Sequence, residues 1–555
     1  MNKYKNARLE VANLLNVKVE QITSVLYKSK VENLYISFEI PKKNGGVRTI
    51  STPKDSLKFI QRHLAKELYK THLKFLKDNN IKASISHGFE KNKSIITNAY
   101  VHKYKRYLVN IDISDFFPSF HFGRVKGYFC KSKEFKFSEE VSTIIAQLVC
   151  YNGTLPQGAP TSPIISNLIF NIVDLQILKL ARKYKLNYTR YADDLSFSTN
   201  DKTFKNKYEV FLEELNVLLT KNDFKINETK TRLKCCYSRQ EVTGLTVNKK
   251  VNANKIFIDK TRAMANSLYK KNTFEINGED GNIKRLEGRF SFINQLDRFN
   301  NKIEYEKTKK EEKFKFIAKL NSRERQYQYF LFYKYFYRPE KPTIVTEGKT
   351  DIMHLKAALM NLHEDYPKLI SLEDGRYNFK ISFLNKNKRM KYFLGIVEDG
   401  ADTMKNIWNF YNGKNGCKNI YEYMNVKRNA TIEEQINPVI LLFDNEQKDK
   451  KPLKGFINYT KIELEQNEIS KKLIGNLYVQ TFPLPEGKKE CEIEDLYSKA
   501  VLDTKIKGKK FSKDNNYSAE KYYGKNSFAL YVRKHYPNIN FDSFRAIFDS
   551  INKLI

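Results

Sequence analysis

The chain has 555 residues, with 99 Lys and Arg against 63 Asp and Glu, for a net charge of +36. An apolar share of 41% is enough for more than one buried core and excludes a disordered chain. So large a positive excess points to a polyanionic partner, above all nucleic acid, and 13% aromatic residues, nearly all Tyr and Phe, suit base stacking beside phosphates.

The opening MNKYKNARLE has no apolar h-region and no run of 18 apolar residues follows, so neither an export signal nor a membrane span is expected. Cys130, Cys150, Cys235, Cys236, Cys417 and Cys491 are scattered without a CxxC. That pattern argues against a zinc site or a disulfide framework and fits a reducing cytosol.

In chain order, PKKNGGVRTISTP (41–53) predicts a strand, a Gly-Gly turn and a strand. Leu57, Ile60, Leu64 and Leu68 recur at helical spacing and predict a helix from Asp55 to about Leu76. YLVNIDI (107–113) is a mostly apolar run that predicts a buried strand. The Gly/Pro-rich GTLPQGAPTSP (153–163) leads into an apolar helix near Ile164–Leu180. NYTRYADDLSFS (187–198) predicts a hairpin with Asp-Asp at its tip. Residues 255–335 are basic and largely helical, and PEKP (339–342) punctuates the chain as a domain boundary. Beyond it TIVTEG predicts a strand, DIMHLKAALMNL a helix and PVILLFDNE a second buried strand ending in acids. That alternation predicts a small α/β domain with a parallel sheet. Residues 500–555 are basic and aromatic and are placed only loosely.

Asp112 closes the first buried strand, and Asp193 and Asp194 sit at the hairpin tip. Three carboxylates fixed by strand ends could hold two Mg²⁺ ions for phosphoryl transfer, although an Asp-Asp turn alone is mostly a solvated turn. Their surroundings resemble reverse transcriptases. Arg190-Tyr191-Ala192-Asp193-Asp194 is similar to the YxDD box, the stretch from Asp112 to Ser119 to the palm strand, and Leu155-Pro156-Gln157-Gly158 to the nucleotide-receiving loop. The resemblance implies an α+β right-hand polymerase with fingers and palm over 1–254 and a thumb over 255–338. It makes Asp112, Asp193 and Asp194 the catalytic Mg²⁺ ligands and leaves Asp115 outside the ligand set. It gives Arg48 to the triphosphate, Phe117 to the sugar, where a ring would exclude a ribose 2′-OH, and Gln157 to the dNTP pocket.

Asn98-Ala99-Tyr100-Val101-His102 resembles the NAxxH signature of bacterial retron reverse transcriptases, and Val242-Thr243-Gly244 resembles their VTG signature. His87-Gly88-Phe89 fits the segment before them. This resemblance associates Asn98, His102, Val242, Thr243 and Gly244 with the retron RNA. It implies a structured noncoding RNA as template and primer, dNTPs as substrates, priming from a 2′-OH and branched msDNA as product. The basic thumb would clamp the RNA–DNA duplex.

A second acidic set follows. Glu347 ends a strand, Asp351 begins a helix, and Asp444-Asn445-Glu446 ends VILLF, so these acids would converge at the carboxyl edge of a parallel sheet. GKT (348–350) lacks the first glycine of a Walker loop, since position 343 is Thr. The set resembles a Toprim domain over 342–500, with 501–555 as a basic extension packed on it. Glu347 would be catalytic, and Glu347, Asp351, Asp444 and Glu446 would hold one or two Mg²⁺, with Glu446 replacing the usual second Asp. Glu398, Asp399 and Asp402 in VEDGAD, and Glu494 or Asp495 in CEIEDLY, are further acids of interest. Together the resemblances imply a retron RNA-directed DNA polymerase fused to a metal-dependent nuclease acting on RNA or DNA, in bacterial antiphage defence, located in the cytoplasm and without a membrane. The alternative is an inactive Toprim-like module that only binds and scaffolds msDNA. A homo-oligomer is left open.

Overall fold

The computed structural model describes residues 2–42, 45–81, 85–308, 320–397, 402–428, 436–514 and 517–555. It divides into two compact units, residues 1–257 with 296–300, and residues 258–295 with 301–555.

The first unit is built on an antiparallel sheet. Its central strand, Tyr107–Ser114, pairs with Asp194–Thr199 on one side and with Arg232–Cys235 and Lys225–Ile226 on the other. Asn187–Tyr191 extends the sheet beyond Asp194–Thr199. Helices Asp55–Asp78, Glu139–Val149, Ser162–Lys183 and Phe204–Lys221 bury Leu57, Ile144, Ile165 and Phe211 in the same core as Val109, Ile111 and Ile113. Ser162–Lys183 is long and apolar enough to cross a membrane, although Ser166, Asn167, Asn171 and Asp174 interrupt its apolar run, and 67% of its most apolar 18-residue window is buried in the protein. It is apolar nearly all round because it is a core helix. The hairpin Tyr35–Pro41/Val47–Pro53 matches the pattern around Gly45 and Gly46, and one of its strands is largely exposed.

The second unit has a five-stranded sheet in the order Ser382–Phe383, Thr343–Thr346, Val439–Phe443, Leu477–Thr481, Ser470–Ile474. Every pairing is parallel except the last, which is antiparallel. The central strand is buried throughout, with Val439, Leu441 and Phe443 in one core and Ile440 and Leu442 in the other. A strand covered on both faces reads as an unbroken apolar run, which explains VILLF.

Two points differ from the sequence reading. The stretch 255–338 does not end at a domain boundary. Ala265, Leu286, Phe290, Tyr327, Phe330 and Tyr337 share a core with Val345, Met390 and Val439, so PEKP is a turn within one unit. The cause lies in YQYFLFYKYFY (327–337), whose many buried rings need a second apolar surface to cover them. Residues 501–555 likewise supply Phe528, Val532, Ile547 and Phe548 to the core holding Leu355 and Ile440. They complete the domain rather than extend it.

Candidate active sites

The register of the palm sheet sets Asp112 opposite Asp194. Asp193 precedes Asp194 in a two-residue connection, since Tyr191 pairs with Asp194 and only Ala192 and Asp193 lie between. Ala192 has φ 54, a left-handed conformation that favours glycine. Burial raises the Asp194 carboxyl to about 7, with the Asp193 and Asp112 charges adding to it. Burial also raises Asp193, while Lys230 and Arg48 oppose the shift. Asp112 accepts from Lys230 Nζ at 2.9 Å and from Asn227 Nδ2 at 3.2 Å. Asp193 and Asp194, raised by burial and by the neighbouring negative charges, together with Asp112 fit a cation site, which favours the charged forms. Asp115 is exposed with φ 45 and stands apart from this set.

The turn is held from behind by a residue whose role the sequence did not reveal. Arg190 is fully buried and forms a two-pronged pair with Asp174, Nε to Oδ1 at 3.0 Å and Nη2 to Oδ2 at 2.8 Å. Its Nη1 donates to Ala192 O at 3.2 Å and to Asn167 Oδ1 at 3.1 Å. Its guanidinium lies 4.6 Å from the centre of the Phe170 ring. Gly88 approaches from another side: a Cβ there would lie 2.7 Å from Ala192 N, which only glycine avoids. His87 N donates to Arg190 O at 2.7 Å. His87 and Gly88 therefore brace the turn that carries Asp193.

On the nucleotide side, Arg48 is exposed on Val47–Pro53, and its charge reaches Asp193. Ser51 N donates to Gln157 O at 2.8 Å, which ties the Pro-Gln-Gly loop to that strand. Phe117 is half-buried, edge-on to Phe116, which is in the core.

The family model for reverse transcriptase (RNA-dependent DNA polymerase) matches residues 40–276. Retron Ec73 reverse transcriptase of Escherichia coli is 34% identical over 227 residues, which cover 38% of this chain and 67% of that protein. The chain belongs to the retron reverse transcriptases. Retron Mx162 reverse transcriptase of Myxococcus xanthus is 30% identical over 320 residues, covering 52% of this chain and 63% of its own length. Retron Ec86 reverse transcriptase of Escherichia coli is 29% identical over 289 residues, covering 52% and 84%. The chain thus spans less than two thirds of the Mx162 protein.

Within this retron reverse transcriptase, the two short signatures form one structural module. Asn98 and His102 are buried. His102 bonds Ser198 Oγ through Nδ1 and Thr189 Oγ1 through Nε2, both at 2.7 Å, and Asn98 Oδ1 accepts from Thr189 Oγ1 at 2.6 Å. Burial pushes the His102 imidazole down to about 3, so it is neutral. Val242 pairs with Leu245, leaving Thr243 (φ 47) and Gly244 (φ 78) as a turn with both residues left-handed, which explains the glycine. Thr243 Oγ1 donates to Ile95 O at 3.3 Å, joining this turn to the NAxxH helix Ile95–Val101. Asn98, His102 and Val242 are buried among protein groups, whereas Thr243 is half-buried and Gly244 exposed.

In the second unit Glu347 follows Thr343–Thr346 and Asp444 follows Val439–Phe443, at the carboxyl edge of neighbouring parallel strands. Asp444, Glu446 and Glu492 each offer an oxygen within 4.8 Å of the others, the one such group of three among the described residues. Glu492 was missed. It arrives because Asn445 and Cys491 exchange backbone bonds, N to O at 2.8 Å and 3.0 Å, and its cue was the alternating acids of CEIED. Burial raises Asp444 well above the usual carboxylate range, with Asp351, Glu347, Glu492 and Glu494 adding to it. Burial likewise raises Glu347 to about 7, helped by Asp351 and Glu446, and its Oε2 is buried without a hydrogen-bond partner. Asp351 is not in the close group; its Oδ2 accepts from Gly348 N at 2.8 Å, so it shapes the turn that carries Glu347. Lys451 Nζ meets Glu446 at 2.6 Å, and Lys525 Nζ meets Glu492 at 3.2 Å and Glu494 at 3.3 Å. Asp495 pairs instead with Lys488 and Lys513. Asp402 is exposed at a helix start, and Glu398 and Asp399 lie outside the described residues. The orphaned Glu347 oxygen and the crowded acids fit a divalent cation with oxygen ligands.

Proposed function

We propose that the chain copies a structured RNA into branched msDNA at the palm and cleaves nucleic acid at the acidic centre of its second unit. The observation that carries the first half is the register that faces Asp112 with Asp194 beside Asp193. Those three aspartates would hold two Mg²⁺, which would stabilise the attacking hydroxyl and the leaving pyrophosphate. Arg48 binds the triphosphate, its planar fork matching phosphate oxygens. Gln157 lines the dNTP pocket, and Phe117 lies against the sugar and selects dNTPs over rNTPs. The basic stretch 255–338 acts as thumb on the RNA–DNA duplex, and a 2′-OH of the RNA is the priming nucleophile.

In the second unit Asp444, Glu446 and Glu492 would hold Mg²⁺, and Glu347, with its carboxyl near 7, exchanges a proton at Oε2. The unit has the features of a Toprim nuclease in its parallel sheet and acidic edge. The convergence of so many acids supports chemistry over scaffolding, because carboxylates repel phosphate unless a cation intervenes. In the cell the msDNA complex restrains this nuclease, and the pair serves antiphage defence.

The test compares Asp193→Asn and Glu347→Gln by a gel of extracted msDNA beside a plaque assay. Asp193→Asn removes both msDNA and protection; residual synthesis within about tenfold of the parent would overturn the palm assignment, since metal-borne chemistry is worth several kcal/mol. Glu347→Gln leaves msDNA and abolishes protection. Protection by a normally expressed Glu347→Gln protein would return the second unit to the scaffold reading.

A further inference from the structure

One end of the palm sheet carries a surface that the polymerase chemistry does not use. Tyr237 is 90% exposed and Tyr104 is 71% exposed, so neither ring contributes much to the core. The register Tyr107 opposite Cys235 brings both segments out at the same end of the sheet. Hydrogen bonds then tie them together. Tyr104 N donates to Val247 O at 3.0 Å, and the next residue, Asn248, donates from Nδ2 to Cys236 O at 3.1 Å and to Ser238 O at 2.8 Å, on either side of Tyr237. The two rings therefore flank one peptide, Val247–Asn248.

The charge around them is one-sided. Lys105, Arg106, Lys249 and Lys250 belong to the same segments. Of the two acids at this end, Glu241 is held by Arg239 at 3.1 Å, and Asp201, beyond the neighbouring strand, accepts from Thr203 N and Oγ1. Tyr104 also has φ 60, a conformation that bulky L-residues rarely take. It is imposed by its bond to Val247 and by the buried His102 just before it. Two rings exposed this far add little to the core, which points to a role outside it.

We propose that Tyr104 and Tyr237, with the surrounding lysines and Arg106, form a docking surface for an unpaired segment of RNA, bases stacking on the rings and phosphates on the cations. Stacking tolerates any base, and the cations follow the backbone. A duplex hides its base faces and would not use the rings. A protein partner is less suited, because the patch has no apolar centre beyond the two rings. The reading of the chain as a retron polymerase supplies only the identity of the strand, RNA rather than DNA; the surface itself rests on exposure, charge and register.

The full-length protein is tested with its palm saturated by an unlabelled template–primer hybrid. Binding of fluorescent oligo(U), oligo(dT) and a blunt RNA duplex is followed by anisotropy. Tyr104→Ala with Tyr237→Ala weakens oligo(U) binding about tenfold or more. Tyr104→Phe with Tyr237→Phe keeps the parent affinity, which a purely electrostatic patch would not distinguish from the Ala pair. Lys249→Ala with Lys250→Ala lowers the slope of log affinity against log salt by about 1.4, at about 0.7 for each phosphate contact to a single strand. The duplex is insensitive to the Tyr changes. Extension of the hybrid stays within about twofold of the parent in every variant, since no altered residue touches the palm acids. An oligo(U) affinity that survives the double Ala change within about twofold would overturn the surface. A parent that binds oligo(dT) and not oligo(U) would overturn its assignment to RNA. A parent that fails to extend the hybrid would instead sink the polymerase reading and leave the binding result standing.

Discussion

In the palm, Asp112 turns to Lys230 while Asp193 and Asp194 ride a two-residue turn. In the second unit, Asp444, Glu446 and Glu492 crowd within 4.8 Å and the lysines lie on their outer sides. Both arrangements gather negative charge in half-buried sites, and in both a carboxyl is lifted to about 7, Asp194 in one and Glu347 in the other. The construction differs. The palm acids come from two neighbouring antiparallel strands, Tyr107–Ser114 and Asp194–Thr199, and from the tight turn before the second, so one pairing register and one turn set their geometry. The second centre draws on segments near 347, 444 and 492, joined by parallel pairing and by the Asn445–Cys491 bridge, with Lys525 arriving from a helix further on. A local site depends on its turn, and an assembled site on its most distant contributor. Each can be broken without the other.

The largest effect is expected at the brace of the palm turn. Arg190→Lys keeps the charge but loses the fork, since one ammonium cannot bond both Asp174 oxygens, Asn167 and Ala192 O together. Breaking a buried charge pair commonly costs about 3–5 kcal/mol, and here part of that falls on the position of Asp193. Polymerase kcat should drop by about a hundredfold or more with KM for dNTP nearly unchanged, while Mn²⁺ binding to the second unit, read by calorimetry in the presence of Asp193→Asn, stays the same. A KM rise with kcat intact would mean that Arg190 shapes the nucleotide pocket and not the turn.

The assembled site is probed at its distant acid. Glu492→Gln should weaken divalent binding by about tenfold, a usual loss when one ligand of a set or its support is removed. It should leave primer extension at the parent rate. The same titration on Asp351→Asn separates ligand from support: Asp351 accepts from Gly348 N, so its effect should pass through Glu347 and be smaller. If Asp351→Asn abolished binding and Glu492→Gln did not, the ligand set would be the one expected from sequence.

This contrast also explains what the sequence could disclose. The strand Tyr107–Ser114, the Tyr-Ala-Asp-Asp hairpin and the run VILLF are legible because alternation, a two-residue turn and a continuous apolar stretch each leave a short-range pattern. Glu347, Asp444 and Glu446 could be found because strand ends of a parallel sheet share an edge. Glu492 cannot be ranked above Glu494 or Asp495 from sequence, since only the long-range bridge decides which acid comes within reach of Asp444 and Glu446. Asp174 carries no mark in its apolar helix, and its value depends on Arg190 and on the Tyr188 hydroxyl across the core. PEKP looked like a boundary because Pro interrupts any element, whether or not two cores lie on either side.

An effect of pH separates the units too, through two buried neutral histidines, one in each. Burial holds His102 at about 3 and His354 at about 3, against 6.5 when exposed. His102 is bonded at both nitrogens, whereas His354 bonds Tyr497 OH through Nδ1 at 2.7 Å and its Nε2 is without a partner. The unfolded chain takes up these protons first, so each group adds stability that is complete above about 6.5 and is lost as pH falls toward 3. At pH 5 the loss is about 2 kcal/mol per histidine, from 1.36 kcal/mol for each pH unit below 6.5. Because the units need not unfold together, the measurement is hydrogen exchange read by mass spectrometry on peptides of each unit at pH 7 and pH 5, corrected for intrinsic rates. His102→Gln should flatten the acid loss in Asn187–Thr199 and leave that of Val439–Phe443 unchanged, and His354→Gln should do the reverse. His102→Gln should also lower protection at pH 7, because Gln cannot span Ser198 and Thr189 as the imidazole does, so it is the slope between the two pH values that carries the result. An unchanged slope in both peptides would place the acid sensitivity in the carboxylates, and the histidines would then be ionised in the folded protein despite their burial.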